Sequence, residues 1–136
     1  KQADWFDRAL VVTPFSYCLI LSEKKFQREL RRLKLPRNDW PQMFGHWHSN
    51  ATTHFFENRE KIAQAAIVTL RNYDKKTREQ IHAMLVHEAV HLWQHSVDEY
   101  GERSPSSEFM AYGIQTIAQR LMESFARQVD NVQPPL

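Results

Sequence analysis

One cysteine, three glycines and no long apolar run are what this 136-residue chain has least of, and each scarcity excludes something. A lone Cys18 allows no internal disulfide, the usual support of small secreted domains, so a reducing, cytoplasmic setting is the expectation. Glycine this sparse, beside six prolines, rules out collagen-like and linker-like sequence. The longest apolar stretch, Ala9 to Leu21, is broken by Thr13, Pro14 and Ser16 and is too short to span a bilayer, so no membrane partner is expected. No charged segment followed by a small-residue cleavage site marks a signal peptide. The charge excess is slight as well, +2 with a pI near 8.8, short of what a dedicated nucleic-acid binder carries. What is present, 42% hydrophobic and 25% charged residues, suits one globular core of domain size.

Patterning divides the chain into few elements. Phe15 to Leu21 is rich in aromatic and β-favouring residues and predicts a short buried strand. Ser22 caps a helix from Glu23 to about Leu35, where Phe26, Leu30 and Leu33 share a face and Pro36 is the stop. Its other face carries Lys24, Lys25, Arg28, Arg31, Arg32 and Lys34, either a solvated surface or a patch for nucleic acid or an acidic partner. Residues 36–50 read as a loop holding Trp40, His46, Trp47 and His48. Ala51 to Glu57 and Ala63 to Leu70 predict two strands joined through a polar hairpin connection at 58–62. Two long helices follow, from about Lys76 to Val97 and from about Pro105 to Val129, and the tail 131–136 is expected to fray. The expected fold is α+β, a single domain over 1–130 with a small antiparallel or mixed sheet packed on the two long helices.

The first long helix contains His87-Glu88-Ala89-Val90-His91, the HExxH pattern. Two imidazoles four residues apart stand one turn from each other on one helix face, where both can bind one Zn²⁺. Glu88 points about 100° away from His87 around the helix, which suits a general base acting on water rather than a third ligand. Apolar residues fill most of the remaining circumference, so His87, Glu88 and His91 are expected to face the interior or a cleft. The competing reading, core histidines satisfied by neighbouring hydrogen bonds, leaves three costly groups to be paired without a metal. His95 lies about 12 Å along the axis from His87, too far for the same tetrahedral centre.

A catalytic zinc takes three protein ligands and keeps one position for water. Glu108 is the best-placed candidate, in the first turn of the last helix with Ser104 as expected N-cap and Pro105 at the first helical position. The alternative for Glu108 is a carboxylate favoured by the helix dipole. Turning the helix places Tyr112 and Gln115 near Glu108, a small polar cluster where the two helices meet. Tyr112 is a candidate oxyanion donor or an amphipathic residue at the core boundary, and His54 is a weaker candidate for the same role.

Strands, an HExxH helix and a second helix with a downstream Glu together resemble the zincin metallopeptidases, and the Glu108 placement is similar to the gluzincin branch, over roughly residues 51–125. The segments 85–94 (Leu-Val-His-Glu-Ala-Val-His-Leu-Trp-Gln) and 101–115 (Gly-Glu-Arg-Ser-Pro-Ser-Ser-Glu-Phe-Met-Ala-Tyr-Gly-Ile-Gln) resemble small phage-encoded proteins of metallopeptidase character. The resemblance implies His87, His91 and Glu108 as zinc ligands, Glu88 as base, a peptide or protein substrate, and a strand near 51–57 or 63–70 lining the cleft. The interval from His91 to Glu108 is shorter than in large thermolysin-like enzymes, and no metzincin or SprT-type third His follows. The expected activity is peptide hydrolysis by metal-activated water. The rival expectation is a zinc-stabilised binding module whose basic helix, 24–34, contacts nucleic acid or a protein.

Overall fold

Three short strands organise the molecule. The computed structural model describes residues 2–8, 13–44, 49–58 and 63–130. The tail 131–136, the connection 59–62 and the loop residues His46, Trp47 and His48 lie outside them. Strands β1 (Ser16–Ile20), β2 (Ala51–Asn58) and β3 (Ala63–Leu70) form one mixed sheet in the order β1-β3-β2. β1 runs parallel to β3 with Cys18 opposite Ile67, and β2 runs antiparallel to β3 with Thr53 opposite Val68.

Strands β1 and β3 are buried on both faces, which is why they read as nearly continuous apolar runs rather than alternating ones. Tyr17, Leu19, Ala66 and Val68 point into one core, and Cys18, Ile20 and Ile67 into another on the opposite face. Helix α1 (Glu23–Arg32) covers the second core with Phe26 and Leu30, while α2 (Arg78–Tyr100) and α3 (Ser107–Asp130) cover the first. The sheet is therefore sandwiched between α1 and a helical hairpin, the α+β architecture expected, with α1 as a layer of its own.

Local chemistry sets the helix ends, and it corrects several expected boundaries. α1 stops at Arg32 rather than near Leu35, because Lys34 adopts a left-handed φ of 58° and the N–H of Leu35 turns back to the carbonyl of Leu30. Thr77 and Gln80 form a reciprocal capping box, so α2 begins at Arg78. Its far end is closed at Gly101, whose φ of 72° is costly for any residue with a Cβ. The Oγ of Ser106 accepts the N–H of Phe109 at 3.1 Å, which makes Ser106 the cap of α3 in place of Ser104 and leaves Pro105 ahead of the helix.

α2 lies over β2 and α3 over β1. The two helices meet at Gly113, where an added Cβ would fall 2.3 Å from the Trp93 ring. Among the described residues no helix is long and apolar enough to cross a membrane.

Candidate metal centre

The placement of α2 over the outer strand decides what the HExxH residues meet. Leu85, Ala89 and Leu92 face the sheet, and Glu88, one step around the helix, is carried down toward β2. Its carboxylate is 5% exposed, and Oε2 accepts a hydrogen bond from the hydroxyl of Thr53 on β2. His87 and His91 come next around the helix and emerge at the surface, lining an open groove of about 630 Å³ between α2 and β2. The cleft expected from the sequence is there. The carboxylate is buried in its floor, whereas both imidazoles are exposed on its wall, because the helix is covered on only two sides.

The two rings converge. Their Nε2 atoms are 3.2 Å apart and the ring planes are inclined at 73°. Two nitrogen donors held about 2.0–2.1 Å from one tetrahedral ion stand roughly 3.3 Å apart, so the pair fits two corners of a zinc site. Nδ1 of His91 lies 3.3 Å from Oε1 of Gln94. With the Gln94 amide oxygen as acceptor, the His91 tautomer that satisfies this contact carries its proton on Nδ1 and leaves Nε2 as the acceptor toward His87. This outward hydrogen bond is the arrangement that holds metal-ligating histidines in the right tautomer.

The structure does not bring Glu108 to this pair. Among the described residues no group of three His, Cys, Asp or Glu side chains is gathered closely enough to hold a metal. Phe109 packs on Trp93 with ring centroids 5.0 Å apart, and Trp93 faces about 160° away from His91 around α2. The first turn of α3 therefore lies on the far side of the helix from the imidazoles. Gly113, Ile117 and Leu121 define the buried stripe of α3, and Glu108, Tyr112 and Gln115 fall within about 60° of one another on the opposite side. All three are exposed, Tyr112 at 64%, so the expected polar cluster between the helices does not form.

Two other histidines, His54 and His95, lie apart from the imidazole pair. His54 points through the sheet to the α1 side, donating from Nε2 to the Met43 carbonyl at 2.9 Å and packing against Phe26 and Phe56. It cannot serve as an oxyanion donor in the groove. Burial holds its pKa below the ordinary histidine value, with the Met43 hydrogen bond and the charge of Glu88 opposing that shift. His95 lies further along the groove, stacked on Phe55 at 3.9 Å and 3.8 Å from Glu99, apart from the imidazole pair.

Sequence reasoning missed Thr53 and Gln94. Strand alternation puts residues 51, 53 and 55 on one face, but nothing in the pattern says that this face meets α2. Gln94 sits three residues after His91 on the same helix, a spacing that offers a contact, yet a glutamine there is unremarkable by itself. The basic face of α1 lies beyond the other side of the sheet, remote from the groove. Arg31 and Arg37 both stand over the Trp40 ring, at 5.7 and 4.6 Å, so part of that charge is engaged within the molecule. No family model, curated protein or solved structure matches this chain.

Proposed function

We propose that the chain is a zinc-dependent peptidase whose groove binds an extended peptide between α2 and β2. The observation that carries this reading is the convergence of the His87 and His91 Nε2 atoms at 3.2 Å beside a buried Glu88 in one open groove. A zinc ion held by the two imidazoles would polarise a substrate carbonyl and acidify water. Glu88 would be the base that takes a proton from the attacking water and returns it to the leaving amine. With Oε2 engaged by Thr53, Oε1 has no hydrogen-bond partner among the described residues and is the oxygen that accepts the proton.

The groove suits a polymer. It continues past Glu88 into a second depression of about 410 Å³ that shares Ser49, Ala51, His87 and Glu88 with the first. β2 forms its wall, and the outer edge of β2 has no strand partner among the described residues, so an extended backbone can pair with it.

Metal analysis of protein purified without added zinc is the decisive experiment. Zinc near one per chain is expected, reduced to background in His87→Ala and His91→Ala. Glu88→Gln is expected to keep the zinc and lose casein hydrolysis by roughly 100-fold or more. A binding module would instead keep its partner binding in Glu88→Gln and show no hydrolysis in either form. From the placement of α3, Glu108→Gln is expected to leave the zinc content unchanged, and Tyr112→Phe to leave turnover within about twofold. Loss of zinc in Glu108→Gln would bring the first turn of α3 back as a ligand donor.

A further inference from the structure

We infer that Thr53 is a positioning residue for Glu88, selecting which carboxylate oxygen acts as the base and tying it to the strand along which substrate would lie. The inference rests on the peptidase reading and adds to it a residue outside the HExxH pattern.

The argument begins with the cost of the carboxylate. Glu88 is almost completely buried, and a buried carboxylate without a hydrogen-bond donor has nothing to hold it in one position. On its own helix the flanking groups are His87 and Ala89, and nothing there is a hydrogen-bond donor to it in this structure. The donor comes from another element, the hydroxyl of Thr53, thirty-five residues earlier in the chain. That hydroxyl has no freedom to wander. Thr53 stands opposite Val68 in the antiparallel ladder of β2 and β3, and a β-branched side chain on a strand has a restricted χ1.

Engaging Oε2 has a consequence for Oε1. A carboxylate pinned through one oxygen can no longer rotate freely about its last bond, so the other oxygen is fixed as well, on a residue that lines the groove with His87 and His91. Thr53 itself also lines that groove, beside Ala51 and Thr52 on the edge strand. A substrate backbone laid along β2 is thus registered against the same strand that holds the base. Thr53 touches neither imidazole, so the claim concerns the base alone.

Substitution separates the hydroxyl from the shape of the side chain. Thr53→Val removes the donor at nearly constant volume, and Thr53→Ser restores it. With zinc-loaded protein and casein as substrate, Thr53→Val is expected to lower kcat by roughly 10- to 100-fold, the range for loss of a hydrogen bond to a charged group. KM and the zinc dissociation constant, measured by chelator competition, should stay within about twofold of the parent. Thr53→Ser should recover kcat to within about threefold. Equal turnover in Thr53→Val and the parent overturns the inference, as does a Ser variant as slow as the Val variant, which would make packing the cause. A parallel loss of zinc affinity overturns it too, since Thr53 would then shape the metal site. A crystal structure of Thr53→Val supplies a readout that needs no activity, with the Glu88 carboxylate expected to leave its present position; an unmoved carboxylate refutes the positioning role. If the parent hydrolyses nothing with zinc bound, the peptidase reading fails while that structural comparison still decides the role of Thr53.

Discussion

Glu88 and Glu29 are the two buried carboxylates among the described residues, and each is held by a donor far away in sequence. Residues of this kind report most directly on the folded state. His54 is another, and its burial gives a pH dependence with a definite sign. Its folded pKa lies below the ordinary value of about 6.5, so below that pH the unfolded chain binds the proton in preference to the native one. The contribution of His54 to stability is therefore flat above pH 6.5 and falls as pH drops from there toward the folded value. The urea midpoint is expected to be lower at pH 5.5 than at pH 7.5, and the difference should shrink in His54→Phe. A phenyl ring fits between Phe26 and Phe56, and the Met43 carbonyl keeps the hydroxyl of Thr69 as a donor at 2.9 Å. Cys18 gives a second residue-scale expectation. It is fully buried, and burial raises its thiol pKa well above the usual value, with Glu29 adding to the effect. Iodoacetamide should leave the native protein unmodified and label Cys18 only after denaturation.

Among the elements, the packing of α2 on β2 forms the groove, while the α2–α3 contact decides where the first turn of α3 lies. Trp93 can lie against α3 because position 113 has no side chain, and that contact sets the rotation of α3 about its axis. Gly113→Ala relieves an intrinsic helix cost of about 1 kcal/mol but drives a methyl group into an indole ring. Steric conflict should dominate, and a net destabilisation of about 1–3 kcal/mol is expected in denaturant titration. Helix boundaries were legible where a local signal governed them. Ser22 caps α1 as expected, whereas the caps of α2, Thr77 and Gly101, place its ends at Arg78 and Tyr100 rather than near Lys76 and Val97. The buried face of α3 was legible in the helical recurrence of Met110, Ile114, Ile117, Leu121 and Phe125, but how near that face comes to Glu108 was not. Met110, counted in that stripe, is 41% exposed at the open end of the helix. The rotation that buries Gly113 turns Glu108 and Tyr112 to solvent together.

At the scale of the whole molecule, the segment 2–8 links layers on both faces of the sheet. The backbone N–H of Ala3 and the indole N–H of Trp5 donate to Glu29 on α1 at 3.2 and 3.1 Å. Asp4 pairs with Arg127 on α3 at 3.1 Å, and Phe6 bridges to Tyr17 at the edge of β1. Removing residues 1–6 would leave Glu29 buried with only Arg32 beside it, 3.5 Å away. A loss of about 3 kcal/mol or more is expected, seen as a lower urea midpoint.

By itself the sequence determined the α+β class, the three strands, the long helices and the one-turn spacing of His87 and His91, because these follow from periodicity and capping within a few residues. Tertiary structure alone decided which strand lies under α2, that Thr53 meets Glu88, and that Glu108 stands apart from the imidazoles. Those outcomes depend on the relative rotation and stacking of elements distant in the chain, which no local pattern of residues encodes.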